Sequence, residues 1–255
     1  MASFRTEERD NGLLFFTITR EEKRNAINYE VMDGLKSALE IGLAPHIKGI
    51  VITGEGDRAF CSGGDLSIFQ HLRTEEEAFS MLSKMGNILY ELVTYPKPTV
   101  ALMNGIAVGG GCELATACDL RIAKKGIKAG FVQGTLAITT GWGGGSILLE
   151  KLPLANGMKM LFEAKKYTAE ELYDLQFVHY LVEETNWDGL QSSVGPIFQM
   201  EESVLSAYKQ IFIRKWQETN LKERMDEEIR KCALLWSKDI HHEKVAEIMN
   251  GSKKK

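Results

Sequence analysis

Cysteine is scarce in this chain, and what is missing narrows its reading before any motif is considered. Four cysteines, Cys61, Cys112, Cys118 and Cys232, occur in 255 residues without a C-x-x-C pair. Neither a disulfide framework nor a thiolate zinc site is indicated, and so few cysteines suit a reducing compartment. The five histidines include no H-E-x-x-H arrangement, so the zinc-protease signature is absent too. No apolar run reaches the ~20 residues that span a bilayer. Residues 1–12 mix acids with bases and lack the apolar stretch of a signal peptide; their acids also argue against an organellar transit peptide. The expectation is a cytoplasmic protein with no membrane partner. A net charge of -4 leaves no broad basic surface, which argues against nucleic acid. Lys253, Lys254 and Lys255 follow Gly251 and Ser252 and read as a solvated tail.

What is present suits one large domain, or a core with a smaller appendage: 44% of the residues are hydrophobic. Residues 13–19 are short and β-rich and follow an Asn11-Gly12 turn. Residues 47–53 and 99–103 read as further strands, and 120–123 and 129–132 as short ones. Between them lie helical segments at 28–41, 75–93 and 110–118, an alternation that argues for α/β architecture with parallel pairing. Beyond Gly143 the spacing turns helical at 147–152, 156–164 and 169–175. Thr168 and Glu171 form a capping box for the last of these. The chain then divides, with a soft boundary within 187–196, into a core (1–195) and a charged, amphipathic helical region (196–255).

Two strands end in glycine-rich loops. The first runs Cys61-Ser62-Gly63-Gly64-Asp65, and the second Asn104-Gly105 through Gly109-Gly110-Gly111 to Glu113. Neither contains a dinucleotide or P-loop pattern. The second enters a helix, whose first amides have no intrahelical acceptor and suit an anion or a developing oxyanion. Triple glycine fits tight helix-strand packing equally well. Glu113, three residues after Gly110, reads either as a carboxylate near the same helical face or as a complement to the helix dipole.

The ordered blocks shift the balance between these alternatives. Asn25-Ala26-Ile27-Asn28, then residues 59–66, then 104–122, resemble in order and spacing the signature blocks of the crotonase (enoyl-CoA hydratase/isomerase) superfamily. The likeness runs from about residue 13 to about 181. It implies an α/β spiral of ββα units with a C-terminal helical region that builds a homotrimer or a dimer of trimers. It implies an acyl-CoA substrate with no separate cofactor and no metal. By position it assigns the oxyanion-hole amides to Ser62 and Gly110, and the catalytic carboxylate to Glu113. It places Ser62, Gly63, Gly64 and Asp65 on the CoA side, with Lys23, Arg24 and Ala26 near the adenosine. Lys23 or Arg24 as a phosphate contact competes with simple solvation. Ser62 as a nucleophile is disfavoured, because no G-x-S-x-G elbow or histidine partner accompanies it.

One departure matters chemically. Hydratases of the superfamily use a second glutamate in the region 130–144. Counting back from Gly143-Gly144 without a gap puts Gln133 there; a gapped count puts Thr135 there. Neither is an acid. One carboxylate is enough for double-bond isomerisation or for decarboxylation, and the run Gly141-Trp142-Gly143-Gly144 resembles the turn of ethylmalonyl-CoA decarboxylases in the superfamily. Trp142 also reads as a pocket wall. The expected function is thus an enoyl-CoA hydratase/isomerase-type enzyme. The alternatives are an ethylmalonyl- or methylmalonyl-CoA-type decarboxylase and a catalytically weak acyl-CoA-binding member.

Overall fold

The chain winds between two sheets, and from β3 to β8 it leaves strands in them alternately. The structure, a computed structural model, describes residues 2–9 and 11–252; the three terminal lysines read as a solvated tail lie outside them. Strands β1 (Phe4–Arg9) and β2 (Leu13–Ile18) pair antiparallel, and helix α1 (Tyr29–Ile41) follows. Asn28 caps α1 by accepting the Val31 N–H. The next turn supplies β3 (Gly49–Gly54), β4 (Ala59–Cys61), α2 (Leu66–Phe69) and α3 (Glu75–Val93). Another supplies β5 (Thr99–Met103), β6 (Ile106–Val108) and α4 (Gly110–Ala117), and then come β7 (Leu120–Lys124) and β8 (Lys128–Gly130). After α5 (Gly144–Lys151) and α6 (Leu154–Glu163) come β9 (Tyr167–Thr168), α7 (Ala169–Asp174), β10 (Tyr180–Val182) and α8 (Trp187–Val194). The chain ends in α9 (Glu202–Glu218), α10 (Leu221–Trp236) and α11 (Asp239–Ser252).

The large sheet has the order β1-β2-β3-β5-β7-β10, parallel apart from β1; the small sheet has the order β4-β6-β8-β9. Every residue of β2 is buried, as a strand covered on both faces requires. One face packs against α1 and α3, and the other against Leu190 and Val194 of α8 and against Phe198. β1 was not expected from the sequence. It is a largely exposed edge strand whose charged residues carry no alternating apolar signal.

The helical region at 196–255 does more than extend the core. In α10, Met225, Ile229, Cys232, Ala233 and Trp236 are buried in the same cluster as α3 and α4. Burying a side chain such as Ile229 contributes about 1.5–3 kcal/mol, so α10 stabilises the protomer itself. The soft boundary of the sequence reading falls on α8, which covers one face of the large sheet.

Candidate active site

A glycine turn starts α4. Gly109 adopts φ 56° and ψ -120°, a conformation that residues with a Cβ avoid. Gly110 is the first helical residue, and its N–H has no acceptor among the described residues. A Cβ on Gly110 would stand 2.2 Å from the Trp142 ring, so the indole lies directly on this backbone. The far end of α4 is satisfied from within the fold. Arg121 donates to the Cys118 carbonyl at 2.9 Å and Lys151 to the same oxygen at 2.7 Å. A nearly wholly buried helix therefore presents its positive end to a cavity.

The second unpaired amide differs from the expected one. Ser62 donates its N–H to the Arg24 carbonyl at 3.1 Å and its hydroxyl to the Lys23 carbonyl at 3.3 Å. Its amide is therefore already committed. Ile27 donates to the Gly63 carbonyl at 2.8 Å, and the Asp65 N–H donates to the Ile27 carbonyl at 2.9 Å. In such a parallel bridge Gly64 turns its own N–H away from Ile27, and it has no acceptor among the described residues. Gly63, at φ 90°, breaks the strand alternation between Ser62 and Gly64. The two loops touch, since a Cβ on Gly63 would meet the Gly110 nitrogen at 3.2 Å. Gly64 and Gly110 are thus the amides left open to the cavity.

That cavity is about 110 Å³ and largely apolar, walled by Phe69, Met81, Leu82, Ile138, Trp142 and Trp236 among others. Among the described residues one carboxylate lines it, that of Glu113, and no lysine or arginine does. Glu113 is 2% exposed and accepts four hydrogen bonds. Oε1 takes Gln133 Nε2 at 2.9 Å and the Gly141 N–H at 3.2 Å; Oε2 takes the N–H groups of Trp142 at 2.8 Å and Gly144 at 2.9 Å. Burial pushes its pKa up to about 7, with the Glu228 charge adding to the rise, while the three backbone donors oppose both.

Gln133 settles the choice between the two counts. It lies beside Glu113, whereas Thr135 is exposed and its hydroxyl donates to the Val132 carbonyl at 2.7 Å. Gln133 Oε1 is buried without a partner, an arrangement that favours a ligand or water carrying a donor.

The other expected contacts are dispersed. Asp65 does not line the cavity; its buried carboxylate pairs with Arg20 at 2.6 Å and caps α2 through Ser67. Burial pushes its pKa up, but Ser67 and Arg20 outweigh that and hold it below the usual range. Ala26 is buried behind the loop, its carbonyl taken by Arg20. Lys23 and Arg24 are exposed and reach the site only through the carbonyls that Ser62 engages. The sequence reading missed the apolar walls from α2 and α3, Phe69, Met81 and Leu82, and three residues of α10: Cys232 and Trp236 in the cavity wall and Glu228 behind the Glu113 turn.

Two open amides beside one buried carboxylate form a site able to stabilise negative charge on an oxygen and to move a proton next to it. The two-sheet spiral that holds them, with its C-terminal helices, is a crotonase-type fold. The family model for enoyl-CoA hydratase/isomerase matches residues 8–249, and the chain belongs to that family. It is 32% identical to a crotonyl-CoA hydratase of Syntrophomonas wolfei over 178 residues, 69% of this chain and 68% of that one. It is 27% identical to an ethylmalonyl-CoA decarboxylase of Xenopus laevis over 231 residues, 89% of this chain and 77% of that one. The structure of an enoyl-CoA hydratase from Bacillus halodurans shares the fold, with a TM-score of 0.85 at 24% identity, covering 96% and 99% of the two chains.

Proposed function

We propose that this chain acts on an acyl-CoA thioester through its enolate, and that double-bond isomerisation is the hydratase/isomerase-type reaction its site completes best. The observation that carries this reading is the single carboxylate, Glu113, with neutral Gln133 in the adjacent position. The Gly64 and Gly110 amides receive the thioester oxygen. Glu113 takes the α-proton of a 3-enoyl thioester, the electron pair delocalises onto that oxygen, and the same carboxyl returns the proton at C4 to give the 2-enoyl product. A pKa near 7 makes both forms of Glu113 available at neutral pH. Hydration would also need a water deprotonated, and Gln133 cannot transfer that proton.

A second reading, decarboxylation of a 2-carboxyacyl thioester, draws on the Xenopus laevis relative, which matches 89% of the chain. There the C–C electrons would pass to the thioester carbonyl as CO2 leaves, and protonated Glu113 would supply the α-proton. No cofactor beyond the substrate's own coenzyme A enters either reaction. Exposed Leu154, Met158 and Phe162 on α6, and Tyr208, Ile211 and Phe212 on α9, support a homotrimer or a dimer of trimers. Four buried free thiols suit the cytoplasm. A turnover screen of crotonyl-CoA, a 3-enoyl-CoA and ethylmalonyl-CoA, with products separated by mass, tests these readings. Conversion of the 3-enoyl thioester supports isomerisation, and CO2 loss selects the second reading. Tight binding without turnover of any substrate leaves a binding protein and overturns both.

A further inference from the structure

A buried carboxylate, Glu113, and a half-buried one, Glu228, share the N-terminus of α5. Glu113 takes the N–H groups of Gly141, Trp142 and Gly144. Glu228, reaching in from α10, takes the next two: Oε1 accepts the Gly145 N–H at 3.0 Å, and Oε2 accepts the Ser146 N–H and hydroxyl, each at 2.7 Å. We infer that Glu228 is a positioning residue for Glu113: it clamps one half of this amide run so that the other half is presented to Glu113, and it sets a second negative charge beside that carboxylate. The inference rests on Glu113 being the proton-transfer group proposed above.

The surroundings leave that charge unbalanced. α3 meets the site with Met81, Leu82 and Met85, and α10 adds Cys232; α4 adds Cys112, and the 133–142 segment adds Gln133 and Trp142. Both thiols stay protonated, since burial pushes their pKa values well up. Among the described residues no cation lines the cavity. Glu113 and Glu228 are both raised, first by burial, and the Glu228 charge is the second cause at Glu113. A neighbouring like charge disfavours ionisation, so removing it makes Glu113 give up its proton at lower pH. Glu228 comes from a segment 115 positions away in the chain, so α10 couples the helical region to the chemistry.

The test is the pH profile of Glu113-dependent turnover. Glu228→Gln is expected to move the acid limb down by roughly one pH unit. Glu228→Asp, which keeps the charge, is expected to leave the limb nearer its original position. Ser146→Ala removes one donor from Glu228, so Glu228 holds its proton to higher pH and the limb moves the same way by a smaller step. That variant also serves if Glu228→Gln does not fold. A limb that stays put in both Glu228→Gln and Ser146→Ala, or in Ser146→Ala alone should Glu228→Gln not fold, overturns the inference, whatever happens to kcat. Loss of the Glu113 dependence itself would be a failure of the proposed function instead, and Glu113→Gln measured in parallel separates the two.

Discussion

Gln133 Nε2 donates to Glu113 Oε1 at 2.9 Å, and it is the one side chain among the four donors on that carboxylate. The three backbone donors are held by the turn at 141–144, so Gln133 is the donor that a substrate can displace. On the proposed function, the edge that Gln133 covers is the one on which Glu113 would meet a substrate.

Replacing that amide by a second acid should change the reaction. In Gln133→Glu two carboxyl groups would face each other at hydrogen-bond distance, and one would retain a proton. Crotonyl-CoA hydration is expected to rise ~10 to 100-fold, the lower part of the range for one general acid-base group, because the surrounding shell was not built for it. A direct hydration assay checks this. No gain, with the new side chain seated beside Glu113, would favour decarboxylation.

Gly110 carries a steric prediction. A methyl group there would collide with the Trp142 ring 2.2 Å away, displacing the amide from the substrate oxygen. Gly110→Ala is expected to lower kcat ~100 to 1,000-fold, the cost of losing one oxyanion donor. Trp142→Ala added to it should recover part of the loss. Steady-state kinetics of the single and double variants decide it; near-normal turnover of Gly110→Ala would remove this amide from the mechanism.

The pH dependence follows from the burial of Glu113. A carboxylate with its pKa raised to about 7 is protonated below that pH and ionised above it. Isomerisation begins with the ionised form, so kcat/KM, which reports the free enzyme, should rise through about pH 7. An acid limb at the ordinary carboxylate value would mean that Glu113 is solvated in the free enzyme.

Assembly is the fourth expectation. Phe162 is 79% exposed on α6 and Phe212 53% on α9, more apolar surface than a solvated helix needs. Light scattering at micromolar concentration should report a trimer or hexamer, and Phe162→Glu should shift it toward smaller species. A monomeric wild-type protein would contradict this.

Strands β2, β3, β5, β7 and β8, the order of the loops and the closeness of Gly110 to Glu113 were legible because each is encoded over a few neighbouring residues. The Gly109 turn, the first helical amide and the carboxylate three residues on lie within five positions. Ser62 was named from the sequence because the direction of an amide depends on contacts formed across the fold: the Arg24 carbonyl takes that of Ser62, and pairing with Ile27 leaves that of Gly64 open. Glu228 was invisible for a related reason. It stands in an acidic run on α10, beside exposed Glu227, and only the docking of α10 on α5 gives it partners. Asp65 looked like a ligand contact because it follows the glycines, yet Arg20 and Ser67 use its oxygens entirely within the fold.

Enolate formation can be measured apart from any product. In D2O, a saturated short acyl-CoA bound at this site should exchange its α-protons, read by mass. Glu113→Gln should slow that exchange at least ~100-fold while acyl-CoA affinity changes little. Equal exchange rates in the two proteins, with both binding the thioester, would contradict the account.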